Sequence, residues 1–184
     1  MAGPALLIID VQQGLDAPSL GSRNNPSAEA NMRTLLEAWR ASSLPVVHVK
    51  HDSVEPASTL RPELPGNAIK AEVSPRADEP VFGKSVNSAF VGTGLEDYLR
   101  EHNIGSLVVV GLTTDHCVSA STRSASDLGF EVTLVADATA TFDRADHEGT
   151  LLKAEQIHQV HLASLHGEFC TVMPTAAVLS ALPS

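Results

Sequence analysis

Five short apolar runs, separated by longer stretches that carry helical periodicity or none, constrain this chain more than any other feature. "ALLIID" (5–10), "PVVHVK" (45–50), "SLVVVG" (106–111), "EVTLVA" (131–136) and "FCTVM" (169–173) read as strands, with a further short one near 80–83. Several are almost wholly apolar, as strands buried on both faces are, and strands alternating with helices form a parallel sheet covered by helices. The expected fold is α/β: a doubly wound, mostly parallel six-stranded sheet with helices on both faces, a Rossmann-like three-layer sandwich. At 184 residues the chain has the size of one ordinary domain, able to bury a core without disulfide or metal staples. No repeat or low-complexity tract divides it, so 1–184 reads as a single domain.

The intervening segments carry their own signals. Ser27 reads as the N-cap of a first helix whose Met32, Leu35, Leu36 and Trp39 share one buried face. In "TGLEDYLREHN", Thr93 and Glu96 read as a capping box ahead of Leu95, Tyr98 and Leu99. A helix from Val118 to Leu128 closes at Gly129, and "LLKAEQIHQVHLASLHG" closes at Gly167, each glycine leading straight into a strand. Residues 51–80 show no sustained period and hold Pro56, Pro62, Pro65, Pro75 and Pro80, which reads as a long, stiff surface loop of the kind that shapes a binding site.

Charge and cysteine content exclude several classes. Twelve Lys and Arg against 22 Asp and Glu give a net charge of -10, and no stretch gathers basic residues into a phosphate-binding stripe, so nucleic acid is not an expected partner. The opening "MAGPALLIIDVQQG" has no basic leader and its apolar run stops at Asp10, which predicts no membrane span and a cytoplasmic location. Cys117 and Cys170 are too few for a secreted disulfide framework and read as free thiols.

In a doubly wound sheet, ligands sit at the carboxyl ends of the strands. Asp10 closes the first strand, Lys84 follows "VFG", and Cys117 lies just beyond "SLVVVG" at the head of a helix. Such a trio suits covalent catalysis by a thiolate: Cys117 attacks, Asp10 is the general base, and Lys84 stabilises the sulfur anion, which predicts a lowered thiol pKa. Amides around Thr113 and Cys117 would form an oxyanion hole, each donor worth roughly 3 to 4 kcal/mol of barrier.

The segments "LLIIDVQ", "FGKSVNSAF", "GLTTDHCV" with "STRSASDLGF", "VTLVADATAT" and "IHQVHLASLHGEF" resemble those of the isochorismatase-like cysteine hydrolases over nearly the whole chain. By position, the resemblance places that family's catalytic Asp, Lys and Cys on Asp10, Lys84 and Cys117. It also implies a cis peptide between Leu112 and Thr113, and a homo-oligomer, dimer or tetramer. Nicotinamidase-like members bind a metal through an Asp-x-His element; the matching stretch here reads "VKHDSVEP", with His51 and Ser53 in those places, so no metal or other cofactor is expected. Members that cleave the vinyl ether of isochorismate commonly lack the cysteine, so Cys117 favours amide cleavage.

Phe82, Asn87 and Phe90 flank Lys84 and are candidate substrate contacts. Thr114 and Asp115 are expected to brace the turn through bonds to backbone groups. His48, His51 and His116 are assigned rim or supporting roles, His158 and His161 packing or interface roles, and Cys170 a core position; Asp137 could face the rim or tether a loop. The leading expectation is a cysteine hydrolase that cleaves a C–N bond of a small amide through a thioester. Its alternatives are a vinyl-ether hydrolase with Asp10 as acid, and a non-catalytic binding or scaffold protein.

Overall fold

The computed structural model describes residues 3–182; residues 1–2 and 183–184, included in the expected domain, lie outside them. Six strands, β1 (Ala5–Ile9), β2 (Val46–His51), β3 (Val81–Lys84), β4 (Ser106–Leu112), β5 (Glu131–Ala140) and β8 (Thr171–Met173), form one sheet in the order β3-β2-β1-β4-β5-β8. Every neighbouring pair is parallel. Helices α1 (Ala28–Ala41), α2 (Leu95–Glu101), α3 (Ser119–Asp127), α4 (Ala154–Leu165) and α5 (Thr175–Ser180) cover it. The expected α/β sandwich is the fold observed.

The alternation of side chains along a strand explains why the central runs are apolar throughout. In β1, Ala5, Leu7 and Ile9 pack with α2, α3 and α4 through Leu95, Leu99, Ala125, Leu162 and Leu165. Leu6 and Ile8 face the other way, onto Met32, Leu35, Leu36 and Trp39 of α1 and Val178 of α5. The β4 side chains divide likewise, Leu107 and Val109 to the first core, Val108, Val110 and Leu112 to the second. Trp39 is fully buried and donates its Nε1–H to Pro4 O at 2.8 Å, so it serves the core.

Ser27 holds the expected N-cap position of α1, though without a side-chain capping bond. Several local expectations are corrected. Thr93 does not cap with Glu96: α2 begins at Leu95 behind Gly94, too late for Glu96 to reach back, and Thr93 Oγ1 instead donates to Ala89 O (2.6 Å) and accepts from Leu95 N–H (3.3 Å). Beyond the expected 136, β5 runs on to Ala140, and a small hairpin of β6 (Arg144–Ala145) and β7 (Leu151–Leu152) follows. Two-residue strands carry no readable period. Gly129 and Gly167 adopt φ of +84° and +83° just past α3 and α4, the left-handed conformation that ends helices. The strand after Gly167 starts only at Thr171.

The proline-rich segment is not a free surface loop. Leu60, Asn67, Lys70 and Val73 are buried, and Asn67 donates to the Leu60 and His51 carbonyls. Its short 3-10 turns, Pro65–Asn67 and Ala71–Val73, fold it back over the ends of β1 and β2. Among the described residues no helix is long and apolar enough to cross a membrane.

Candidate active site

The chain leaves β1 toward β2 on one side, while β4 lies on the other, so the switch in strand order falls between β1 and β4. Their carboxyl ends form the crevice where doubly wound sheets bind ligands. Asp10 follows β1 with φ of +52°, a conformation Asp tolerates better than most residues, and is 2% exposed. Lys84 ends β3, two strands away, and stands opposite His51 of β2 in the register. Its side chain therefore crosses the end of β2: Nζ donates to Asp10 Oδ2 (2.6 Å), Val86 O (3.1 Å) and Cys117 Sγ (3.2 Å), and lies 3.0 Å from His51 Nδ1.

Gln12 fixes the floor of this arrangement. Its buried amide accepts from His51 N–H (2.8 Å) and donates to the carbonyls of His51 (3.0 Å) and Asn67 (2.8 Å), joining the loop after β1 to the end of β2 and to the proline-rich segment.

Cys117 lies in a single π-type turn, Thr114–Val118, ahead of α3. The Leu112–Thr113 peptide is cis. Within the turn, Thr113 O accepts the amides of both His116 and Val118 at 3.2 Å. Thr114 and Asp115 brace the turn, but through side chains rather than the expected backbone groups. Thr114 Oγ1 lies 2.9 Å from His158 Nδ1 of α4, and Asp115 accepts from Thr141 Oγ1 (2.5 Å) and Arg144 Nε (2.8 Å). His158 is thus buried support for the turn. Asp137 accepts from the Thr175 amide and hydroxyl at 2.7 Å, which ties down α5 and keeps it off the rim.

The expected low thiol pKa is not what the surroundings produce. Burial, and then the neighbouring Asp10 carboxylate, push the Cys117 thiol up to about 12 despite Lys84. Burial also raises the Asp10 carboxyl above its ordinary value, outweighing the attraction of Lys84. Burial and then Lys84 hold His51 below the usual imidazole range, so its Nδ1 is free to accept from the ammonium. Expelling the thiol proton to water would leave two buried anions beside one cation. Passing it to Asp10 leaves the net charge of the site unchanged.

A cavity of about 240 Å³ opens over Cys117. Leu15, Leu20, Leu60, Leu112 and Phe142 give it an apolar wall, while Asn87, Thr113, His116 and Arg144 add polar groups around the trio and His51. Asn87 is on this wall, its Oδ1 facing the thiol at 3.7 Å. Phe82 and Phe90 are not. Phe82 sits one pleat repeat below Lys84, edge-on to Tyr98 of α2 with centroids 5.6 Å apart, and Phe90 packs on Phe130 at 5.9 Å. Arg144, Leu15, Leu20 and Leu60 lie in segments without periodicity and were not singled out in the sequence, whereas Leu112 ends the apolar run of β4.

The metal element of nicotinamidase-like enzymes does not fit this chain. Asp52 is engaged by Asn67 (2.9 Å) and Lys50 (3.1 Å), and Ser53 Oγ by the Glu55 amide (3.2 Å). His48, within β2, bonds Glu79 at 3.0 Å, and Cys170 is buried away from the site.

A parallel α/β sheet with a buried Asp, Lys and Cys converging at its switch point defines a class of hydrolase fold. Within that class the chain belongs to the isochorismatase family: the isochorismatase domain model matches residues 4–175. It is 43% identical over 176 residues to the isochorismatase family protein YrdC of Bacillus subtilis, covering 96% of this chain and 94% of that one. An isochorismatase-family structure from Chromobacterium violaceum superposes with a TM-score of 0.93 at 50% identity, covering 97% of this chain and 92% of the other. Maleamate amidohydrolase of Pseudomonas putida is 29% identical over 164 residues, 80% of this chain and 77% of its own length.

Proposed function

We propose that this hydrolase, acting as one domain, cleaves the C–N bond of a small amide through a thioester on Cys117. The observation that carries the reading is the bridging ammonium: Lys84 Nζ contacts both Asp10 Oδ2 and Cys117 Sγ at the base of a cavity of small-molecule size. The amidohydrolase among its relatives supports an amide substrate.

In this mechanism Cys117 passes its proton to Asp10 as the sulfur attacks the amide carbon, so no net charge is created in the buried site. The Lys84 ammonium then turns its attraction from the neutralised carboxyl to the sulfur. The oxyanion of the tetrahedral intermediate is received by the Thr113 and Cys117 amides at the head of α3. Asp10 returns the proton to the departing nitrogen, the amine leaves, and a thioester remains. Water enters, Asp10 removes its proton, and hydrolysis releases the carboxylic acid and restores the thiol. Asn87 lies close enough to the sulfur to orient the bound amide.

Cys117→Ala is expected to abolish turnover while the melting temperature stays close to that of the unsubstituted protein. The intact protein, quenched during turnover, is expected to carry an acyl mass on the Cys117 peptide. Undiminished turnover by Cys117→Ala on the same substrate would overturn the assignment.

One observation favours a second reading. A carboxyl held above its ordinary range beside a thiol that stays protonated suits acid catalysis, with Asp10 protonating a vinyl ether and Cys117 a bystander. Turnover without any acyl-enzyme, preserved in Cys117→Ala, is the outcome that reading requires.

A further inference from the structure

We propose that Asp10, His51 and Cys117 form a cation cage whose resident is the Lys84 ammonium, and that a thiophilic divalent metal ion competes for it and silences the nucleophile. The three residues offer a carboxylate oxygen, an imidazole nitrogen and a sulfur within 4.8 Å of one another. All three converge on one point, Lys84 Nζ, at 2.6, 3.0 and 3.2 Å, with Val86 O completing the shell at 3.1 Å. An ammonium has three N–H groups, so four acceptors oversubscribe it. The surroundings are those of a point cation rather than of a group with a fixed number of hydrogens.

A second observation adds binding capacity. Asp10 is 2% exposed and its Oδ1 is buried without a hydrogen-bond partner among the described residues, so the carboxylate has an oxygen to offer a second ligand. Mixed oxygen, nitrogen and sulfur donors are the set that zinc and cobalt accept, at bonds of about 2.0 to 2.3 Å. The cage would contract by roughly 0.5 to 1 Å per ligand to reach those lengths. His51 can supply part of that movement, since its ring is half-buried while its backbone is clamped by Gln12. On binding, Lys84 withdraws, the Cys117 sulfur coordinates, and its proton passes to bulk water. The metal would then occupy the electron pair that attacks substrate. This set differs from the nicotinamidase-type element, because Ser53 takes no part and both the base and the nucleophile do. It does not depend on which bond the enzyme cleaves.

The test is a titration of the full chain with cobalt(II), followed by the sulfur-to-cobalt charge-transfer band. Lys84→Met, with its resident cation gone, is expected to bind one cobalt ion at least about tenfold more tightly than the unsubstituted protein. Adding His51→Ala to that variant is expected to weaken binding by about tenfold or more. In the unsubstituted protein, saturating cobalt is expected to give the same band and Cys117→Ser to remove it, an arm that stands even if Lys84→Met fails to fold. A band absent from every folded protein, or one that survives Cys117→Ser or is indifferent to His51→Ala, would overturn the cage.

Discussion

At the scale of single residues, the site is a balance among neighbours, and no member can be understood alone. In the proposed mechanism Asp10 both adds to burial in keeping the thiol protonated and accepts its proton, so its removal has two opposite effects. In Asp10→Asn the thiol loses the repulsion that raises its pKa and keeps the attraction of Lys84, so the sulfur ionises more readily. Turnover in the same variant is expected to fall by about 10²- to 10⁴-fold for want of a base, measured as kcat on any substrate the intact enzyme accepts. That Asp10, Lys84 and Cys117 lie near one another was legible in the sequence because strand ends and a helix start mark Asp10 and Cys117, while Lys84 rested largely on the family resemblance. The direction of the thiol shift was not, since it depends on burial and on which neighbour lies nearest. His51 was placed on the rim because its strand was read without a register. Once β3 pairs with β2, Lys84 must pass His51 to reach Asp10.

At the scale of elements, the sheet sets the site through close approaches of backbone. Gly111 has φ of +130°, and a Cβ built there would lie 2.0 Å from Ile9 O on the neighbouring strand. That carbonyl belongs to β1 and cannot yield, so Gly111→Ala is expected to lower stability by at least about 3 kcal/mol, read from denaturant midpoints at constant slope. A denaturation curve matching the unsubstituted protein would show that β1 and β4 do not need this approach. The strands were readable because their apolar runs alternate between two cores. Ser27 does stand at the N-cap of α1, without a side-chain bond, whereas the cap at Thr93 misled because such a motif marks a helix start only to within a residue or two, and one residue decides whether a side chain can reach back. The hairpin Arg144–Ala145 with Leu151–Leu152 escaped because its geometry rests on a turn and on Arg144 bonding Asp115, neither of which leaves a period.

For the molecule as a whole, ionisation predicts a stability profile that declines at both ends of the pH range. Burial pushes Glu29 and Glu79 up, but ion pairs and hydrogen bonds, with Arg23 and Lys70 for Glu29 and with Arg40 and the Arg76 amide for Glu79, hold each at about 2. Both contribute stability present above the unfolded carboxylate value and lost as pH falls toward 2. His48, His51, His116 and His158 lie below the ordinary imidazole value, chiefly through burial, so acidification through about 6.5 charges them first in the unfolded chain and lowers stability. Asp10 acts in the opposite sense, because its raised value makes the folded state the better proton acceptor. Cys117 and Cys170, raised to about 12 and about 11, withdraw stability above the unfolded thiol value near 9. Melting temperature is therefore expected to be highest between roughly pH 6.5 and 9 and to fall outside it; a flat profile from pH 4 to 7 would contradict these assignments. The sandwich itself was legible in the sequence, whereas the cavity was not, because the proline-rich segment takes its shape from buried anchors such as Asn67 that no pattern announces. The account rests most heavily on the coupling of Asp10 to Cys117, and the rate of iodoacetamide alkylation of Cys117 between pH 7 and 10, read by peptide mass spectrometry, tests it directly. The unsubstituted protein is expected to react slowly, its rate rising with pH without a plateau, while Asp10→Asn reacts faster and levels off at lower pH. A plateau below pH 9 in the unsubstituted protein, unmoved by Asp10→Asn, would contradict it.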